Sequence, residues 1–245
     1  MTSLPVFLVD ELPATDAFVL DGPEGRHAAS ARRLRPGEQL AVSDGRGGLV
    51  TCQVEHAERD TVALAVLRRE QRPRPDLTVT LAQALVKGER GELAVELATE
   101  AGVDDVLPWR AERCIARWED GPRGVKALAR WQSTVREAAK QARRPWCPSV
   151  AEPVSTTALL DRVSSAAATL VLHESAQQRL PEVKLPVEGE LLLVVGPEGG
   201  ISDAELAVLA EAGAVGVRLG PSVLRASTAG AVALGALGAL TNRWQ

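Results

Sequence analysis

Two glycine-rich stretches hold the residues that are best placed to do chemistry. VVGPEGGISDAEL, residues 194–206, runs from an apolar segment through a bend into a predicted helix, and Ser202 with Glu205 forms a capping box at the helix start. LGPSVLRASTAG, residues 219–230, also follows a predicted strand and opens a Gly/Ala-rich helix. Ligands of open α/β sheets bind outside the carboxyl ends of the strands. The two bends therefore predict one ligand site between them, with a plain strand-to-helix turn as the alternative for either bend alone.

The composition of the first bend restricts the ligand. No Gly-Lys-Ser/Thr closes it, and it lacks the GxGxxG pattern of dinucleotide sites. Glu198 would repel a phosphate, whereas a cofactor with hydroxyls, an amine and a sulfonium cation would tolerate that carboxylate. A phosphate-free, cationic cofactor is the better prediction.

Metal and thiol chemistry are not indicated. His27, His56 and His173 are far apart and show no metal-ligand spacing. The three cysteines, Cys52, Cys114 and Cys147, include no CxxC pair. We therefore predict no metal and no disulfide framework.

The charge is unevenly distributed along the chain. The whole chain carries −4, yet residues 110–144 hold ten Lys/Arg against four Asp/Glu, a local net charge of +6. Such a segment is typical either of a polyanion-binding face or of a well-solvated helix. Four tryptophans lie in or beside it, and they favour either base stacking or core and dimer contacts: Trp109, Trp118, Trp131 and Trp146.

The elements that must position these residues divide into two parts. Short strands with frequent turns up to RREQRPRPD, residues 68–76, predict a small β-barrel or sandwich. Beyond it, apolar strands alternate with helices, which predicts an α/β domain with a mostly parallel sheet. We place the domains at 1–72 and 73–245. No run of 18 apolar residues and no secretory signal pattern occurs, so a cytoplasmic protein without a membrane span is expected.

The motifs GPEGG-I-S-x-x-E and L-G-P-x-x-L-R-x-x-T-A resemble the C-terminal signature of SPOUT-class RNA methyltransferases, and most closely the RsmE family of 16S rRNA (uracil-N3)-methyltransferases. Further matches occur in order along nearly the whole chain, among them His27, Arg33, Lys87-Gly88, Glu112-Arg113-Cys114 and His173-Glu174. The resemblance implies a knotted (trefoil) α/β domain of SPOUT type with a mostly parallel sheet, preceded by a small PUA-like RNA-binding β-barrel.

The resemblance also implies a cofactor, a substrate and partners. The cofactor is S-adenosylmethionine and the substrate a uridine in the decoding region of 16S rRNA in the small ribosomal subunit, methylated at N3 by a homodimer that needs no metal. The residues it places around the cofactor are Leu172, Gly196, Pro197, Glu198, Gly199, Leu219, Gly220, Val223 and Leu224.

The sequence also offers candidates for catalytic and RNA-contacting residues, which are hypotheses. Arg225 is the candidate for stabilising negative charge on the uracil oxygens. Glu198, or a water molecule, is the candidate for accepting the N3 proton. The candidates for holding RNA phosphates are Arg32, Arg33, Arg113, Arg136, Lys140 and Arg144.

Two positions depart from the family pattern. Leu97 replaces a usual lysine, and Ser227 replaces the carboxylate of R-x-E-T-A. They support one alternative, a non-catalytic RNA-binding ribosome-assembly factor of the same fold. Two others stay open: a SPOUT methyltransferase acting on another nucleotide, and a different nucleotide-using α/β enzyme.

Overall fold

The computed structural model describes residues 4–118 and 121–244. The chain forms two compact units, one from residues 1–74 with 139–147 and the other from 75–138 with 148–245. The first unit is therefore discontinuous in sequence, because a short piece from the middle of the chain completes it.

A curled five-stranded sheet forms the first unit. Its strands are β1 (Val6–Leu8), β2 (Ala17–Leu20), β3 (Gln39–Ser43), β4 (Gly48–Ala57) and β5 (Val62–Gln71), paired in the order β1-β3-β4-β5-β2. The β1–β3 pair is parallel and the other three pairs are antiparallel. Two register shifts between β4 and β5 increase the local twist and bend the sheet around its apolar core.

A short helical insert follows β2. Helix α1 (Gly22–Arg26) continues into a π-helical turn, His27–Ala31, and so ends before Pro36 as the sequence predicts. The strands predicted before residues 68–76 are β1, β3, β4 and β5, and β5 continues into that stretch as far as Gln71. Strand β2 was not predicted: its four residues are all apolar, but the run is short and only Leu20 is buried.

Residues 145–147 pack against the turn between β3 and β4. Gly47 N donates to Pro145 O at 2.9 Å, and Cys147 N donates to Gly45 O at 2.9 Å. Gly47 has a φ of 91°, and a Cβ there would lie 2.8 Å from the Trp146 ring. The DGRGG turn is therefore shaped to receive this segment.

The second unit is built on a parallel sheet. Its strands are β6 (Leu77–Ala84), β7 (Asp105–Arg110), β8 (Ser149–Val150), β9 (Val154–Ser155), β10 (Ala168–Leu172), β11 (Gly189–Val195) and β12 (Val215–Val217). They are ordered β12-β10-β11-β6-β7-β8, with β9 also on β7, and each described pairing is parallel. The predicted α/β class with a mostly parallel sheet is confirmed.

Five helices accompany this sheet: α2 (Arg90–Glu100), α3 (Pro122–Gln141), α4 (Thr156–Ser165), α5 (Asp203–Glu211) and α6 (Ala226–Leu240). Helix α6 packs on α2, β6 and β11. A Cβ at Gly230 would lie 3.2 Å from the Leu81 side chain, so this helix approaches the sheet closely, as its glycines predict.

A buried ion pair anchors the chain after α6. Arg243 Nη1 lies 2.8 Å from Asp104 Oδ2, and Arg243 Nη2 donates to Gly102 O at 2.6 Å. Arg243 Nη1 also donates to Leu77 O. These contacts hold the end of α6 at the edge of the sheet opposite its carboxyl ends.

Helix α3 is amphipathic. The apolar side chains of one face are buried, namely Leu128, Trp131, Val135 and Ala138. Lys140, a candidate for holding an RNA phosphate, is also buried. No helix in the described part of the chain is long and apolar enough to cross a membrane.

Lys140 belongs to a buried polar cluster of the first unit. Its Nζ lies 2.6 Å from Glu24 Oε1 and 3.1 Å from His27 Nδ1, and 5.7 Å from the centroid of the Phe7 ring. Its side chain is only 6% exposed. The ammonium therefore attaches the end of α3, which belongs to the first unit, to α1 rather than extending into solvent.

We expect Lys140→Met to destabilise the first unit by about 2 kcal/mol, because the partly buried Glu24 carboxylate loses its cation. Hydrogen exchange of β4 and β5 peptides across a urea titration measures this unit by itself. Lys126→Met, at an exposed position of the same helix, should change stability by less than about 0.5 kcal/mol. Equal protection in Lys140→Met and the wild type would contradict this role.

Candidate functional site

The site lies where parallel strands of the second unit end side by side. Leu172, the last residue of β10, pairs with Val195 of β11 and with Val217 of β12, and Val195 also pairs with Gln83 of β6. The loops that follow β10, β11 and β12 therefore leave the sheet at one edge. They include both glycine-rich stretches of the sequence.

These loops enclose a cavity of about 320 Å³. Six residues of the predicted cofactor set line it: Leu172, Gly196, Pro197, Glu198, Val223 and Leu224. A smaller neighbouring cavity of about 70 Å³ shares Leu172, Val223 and Leu224 and adds Leu219 and Gly220. Both catalytic candidates, Arg225 and Glu198, line the larger cavity.

Gly199, the ninth predicted cofactor residue, is not in the lining of either cavity. Its carbonyl accepts a hydrogen bond from Arg113 Nη1 at 3.3 Å, and a Cβ on it would lie 3.3 Å from Arg113 Cβ. The structure thus places Gly199 against the segment after β7.

Close packing explains the glycines of the first loop. A Cβ at Gly196 would lie 2.6 Å from Ile201 Cγ1. Gly200 has a φ of 73° and donates its N–H to Pro197 O at 2.9 Å, which closes a tight turn. The loop therefore folds back on itself and presents backbone to the cavity.

Glu205, in the first turn of α5, holds the end of the first glycine-rich loop by hydrogen bonds. Its carboxylate is 6% exposed; Oε1 accepts from Glu112 N at 2.9 Å and from Thr156 Oγ1 at 2.8 Å. Oε2 accepts from Ser202 N and Ser202 Oγ, and Ser202 Oγ in turn accepts from Glu205 N. The predicted capping box is confirmed, and the same carboxylate also binds two other segments of the unit.

Glu198, which lines the cavity, is held by one hydrogen bond and one ion pair. Its Oε1 accepts from Lys87 N at 3.3 Å and lies 3.9 Å from Arg90 Nη1. Within residues 4–118 and 121–244, Oε2 accepts no hydrogen bond. The carboxylate therefore keeps one oxygen for a ligand, and a cation or a hydrogen-bond donor would suit it.

Arg225 and Ser227 lie at the start of α6. Arg225 is the N-cap residue, its carbonyl accepts from Thr228 N and Ala229 N, and its side chain is exposed. Ser227, at the position of the family carboxylate, is buried and lines the cavity. Leu97 is half-buried in α2 and lies outside both cavities.

Sequence reasoning missed His173 as a site residue, although it directly follows β10. It lines both cavities. Ser175 N donates to His173 Nδ1 at 3.3 Å, and Ser175 Oγ lies 2.8 Å from the same atom. Because Nδ1 accepts from a backbone N–H, the ring proton lies on Nε2, which makes His173 a hydrogen-bond donor. The rule that ligands gather at strand ends would have found it.

Other residues missed by the sequence reasoning also line the larger cavity, among them Val86, Arg90, Glu174 and Ile201. Cys114, which matches the family, is not a nucleophile here. Burial raises the pKa of its thiol to about 11, so the thiol stays protonated near neutral pH. Among the described residues, no group of three or more His, Cys, Asp or Glu could hold a metal ion.

The candidate RNA contacts occupy different environments. Arg32 and Arg33 are exposed in the first unit; Arg113 and Arg136 are exposed in the second unit; Arg144 is half-buried. Lys140 is buried against Glu24, so its ammonium is not available to a phosphate unless that ion pair opens. We therefore leave Lys140 out of the RNA-contacting set.

Comparisons with known proteins agree with this architecture. The family model described as an RNA methyltransferase domain matches residues 73–238, and that of an RNA methyltransferase PUA domain matches residues 20–67. Ribosomal RNA small subunit methyltransferase E of Mycobacterium bovis is 55% identical over 244 residues, which cover 98% of this chain and 93% of that protein. The Bacillus subtilis protein of the same name is 30% identical over 239 residues, 94% of this chain and 91% of that protein.

Solved structures agree as well. A crystal structure of ribosomal RNA small subunit methyltransferase E from Neisseria gonorrhoeae bound to S-adenosyl methionine superposes with a TM-score of 0.86 at 29% identity, covering 98% of each chain. A Legionella pneumophila protein solved with the cofactor SAM gives a TM-score of 0.85 at 28% identity and covers 98% of this chain and 99% of that one. The predicted SPOUT-type fold with a PUA-type N-terminal domain is confirmed.

We expect Glu205→Ala to lower the free energy of unfolding by roughly 2–4 kcal/mol, because the N–H groups of Glu112 and Ser202 lose their buried acceptor. Hydrogen exchange in residues 196–202 should rise at the same time. Glu211→Ala removes an exposed carboxylate at the other end of α5 and should be nearly neutral. Unchanged stability and exchange in Glu205→Ala would contradict the anchoring role.

Proposed function

This chain belongs to the ribosomal RNA small subunit methyltransferase E family, and we propose that it transfers a methyl group from S-adenosylmethionine to N3 of a uridine in the decoding region of 16S rRNA. The observation that carries the proposal is the shared cavity of the two glycine-rich loops, which holds Glu198, His173 and Arg225 together at the carboxyl ends of parallel strands.

The residues of the cavity fit the cofactor. S-adenosylmethionine carries an amine, a carboxylate, a sulfonium and ribose hydroxyls, and it carries no phosphate. Glu198 offers a carboxylate oxygen to the cationic groups, and the Nε2–H of His173 suits a hydroxyl or carboxylate oxygen. A cavity of about 320 Å³ is in the ordinary range for small-molecule sites.

We assign the pocket to the nine residues of the predicted set, with Gly199 acting through its contact with Arg113 rather than through the lining. Leu172, Val223 and Leu224 supply apolar surface to both cavities. Gly196 and Pro197 bring backbone against the ligand. Bound S-adenosylmethionine supplies an electrophilic methyl group, and the chain must orient the acceptor and handle its proton and charge.

The acceptor chemistry assigns a role to each catalytic candidate. Uracil N3 must lose its imide proton before or as the N–C bond forms, and negative charge then spreads to the uracil oxygens. Arg225, exposed at the rim of the cavity, donates N–H groups to those oxygens. Glu198 Oε2, or a water molecule beside it, accepts the proton. Ser227 has no assigned step, since a hydroxyl in place of a carboxylate is not a base near neutral pH.

Substrate binding is assigned to the arginines of the candidate set. Arg32 and Arg33 of the first unit and Arg113, Arg136 and Arg144 along the basic segment are proposed to contact phosphates of the small-subunit rRNA. Affinity should fall steeply with salt, because each neutralised phosphate releases counterions.

We further propose that the enzyme acts as a homodimer. Helices α2 and α6 pack against each other, yet Leu93, Val232 and Leu240 on them are 41%, 48% and 46% exposed. A second copy of the chain would cover such a surface.

The decisive experiment is methyl transfer from labelled S-adenosylmethionine to small ribosomal subunits from a strain that lacks this gene, with nucleoside analysis of the product. We expect labelled N3-methyluridine. Another methylated nucleoside would overturn the position but keep the methyltransferase. No label together with no cofactor binding would favour a non-catalytic RNA-binding factor.

Arg225→Ala should lower kcat with saturating RNA by about 10²–10³-fold, because a donor to the developing charge is lost. The dissociation constant for S-adenosylmethionine, measured by calorimetry, should stay within about threefold of the wild type, since Arg225 is proposed to contact the uracil rather than the cofactor. Lys184→Ala, an exposed cation of the same unit outside both cavities, serves as the control. Unchanged turnover in Arg225→Ala would remove Arg225 from the mechanism.

A further inference from the structure

The second unit contains another cavity, as large as the cavity of about 320 Å³ proposed for the cofactor, which is called the cofactor cavity below. It has no role in the chemistry described above. Its volume is about 340 Å³, and its walls come from the segment that follows β7. The lining residues are Arg110, Ala111, Glu112, Cys114, Ala116, Arg117 and Trp118. None of them lines the cofactor cavity, so the two spaces are separate.

The lining combines an aromatic surface with cations. Trp118 is half-buried, and it meets Trp131 edge to face with ring centroids 4.8 Å apart and an interplanar angle of 80°. Trp131 is 2% exposed. The Trp118 indole is thus fixed by a buried partner while part of it remains accessible, which is what a stacking platform requires.

Charged and apolar side chains lie near the Trp118 indole. Arg117 is exposed and lines the cavity together with the indole. Among the described lining residues, Arg110 adds a second guanidinium and Glu112 a carboxylate. Ile115 is 68% exposed in the same segment. A planar, partly apolar ligand that carries an anionic group matches this surface, and Arg suits phosphate because its fork can donate two hydrogen bonds.

The same segment is hydrogen-bonded to the glycine-rich loop after β11 and to the start of α5. That loop, residues 196–202, is called the cofactor loop below. Arg113 Nη1 donates to Gly199 O at 3.3 Å, and Glu112 N donates to the Glu205 carboxylate at 2.9 Å. Residues 112 and 113 therefore hold the loop that lines the cofactor cavity, while residues 117 and 118 line the second cavity. A ligand in the second cavity would therefore lie only a few residues along the chain from the Glu112 and Arg113 contacts to the cofactor loop and the start of α5.

We propose that this cavity binds an unpaired nucleotide of the RNA substrate that neighbours the methylated one, with its base on Trp118 and its phosphate at Arg117. The inference rests on the proposed function, since it takes the substrate to be RNA. Proteins recognise single-stranded RNA by stacking splayed bases on aromatic and guanidinium planes. The cavity thereby acts as a specificity subsite that places the target base, and it is not part of the methyl-transfer machinery.

The experiment pairs two RNA probes with a set of variants. Binding is measured by fluorescence anisotropy with a fluorescein-labelled hexauridylate, and kinetics are measured with small ribosomal subunits. Trp118→Leu keeps an apolar contact with Trp131 but removes the stacking plane, whereas Trp118→Phe keeps a plane. Arg117→Gln removes the cation, and Lys184→Gln is the matched control for loss of one charge outside the cavity.

We expect Trp118→Leu to weaken hexauridylate binding and to raise KM for subunits by about tenfold, in line with the contribution of one stacked base. Trp118→Phe should restore most of that affinity. Arg117→Gln should weaken binding by about fivefold and lower the slope of log affinity against log salt by about 1. The dissociation constant for S-adenosylmethionine and the thermal midpoint should stay those of the wild type.

Three outcomes would overturn the subsite. The first is wild-type RNA affinity in both Trp118→Leu and Arg117→Gln while the wild type methylates subunits, which leaves the proposed function standing. The second is a loss of affinity in Trp118→Leu that Trp118→Phe does not restore. The third is a loss of RNA affinity in a variant whose oligomeric state, measured by sedimentation velocity, also changes. That result would make the cavity a contact between two copies of the chain. By contrast, a wild type that neither methylates subunits nor binds the cofactor refutes the proposed function, and the hexauridylate series still decides the subsite.

Discussion

The buried carboxylate of Glu205 is the contact on which the geometry of the site depends. A charged group inside a protein is tolerated when hydrogen bonds replace its lost hydration, and Glu205 receives them from Ser202, Glu112 and Thr156. Those three donors belong to the cofactor loop, to the segment after β7 and to the start of α4. One side chain thus fixes the relative positions of three segments that are distant in sequence. The turn that follows the glycines of the loop is held in this way.

The parallel sheet supplies the second constraint. Since β10, β11 and β12 run in the same direction and lie beside one another, the loops that follow them leave at one edge. Helix α6 then returns over the middle of the sheet, where Gly230 allows it to touch Leu81. The Arg243–Asp104 ion pair holds the chain after α6 at the opposite edge. Arg225 is placed at the rim of the cavity because it is the N-cap of this anchored helix.

In the function proposed above, the segment from 110 to 118 connects the cofactor cavity to the RNA subsite. Its first half bonds to the cofactor loop through Glu112 and Arg113, and its second half carries the indole and the guanidinium of the separate cavity. An enzyme that modifies one base within a large RNA needs a rigid relation between the cofactor and the neighbouring nucleotides, because misplacement of the acceptor atom by about 1 Å costs as much as 10²-fold in rate. A short, well-bonded segment shared by both spaces provides such a relation.

The sequence by itself determined most of the elements and the chemical class of the site. Apolar strands alternating with helices gave the parallel sheet, the spacing of Ser202 and Glu205 gave the helix start, and the composition around Glu198 argued against a phosphate cradle. These features are local, since each depends on residues within a few positions of one another. The tertiary structure alone decided the burial of Lys140 against Glu24, the completion of the first unit by residues 139–147, the place of His173 in both cavities and the turn of Gly199 toward Arg113. Each of these features depends on residues that are distant in sequence or that only the sheet brings together. Periodicity and motifs do not predict the partner of a buried charge or the neighbours of a strand end.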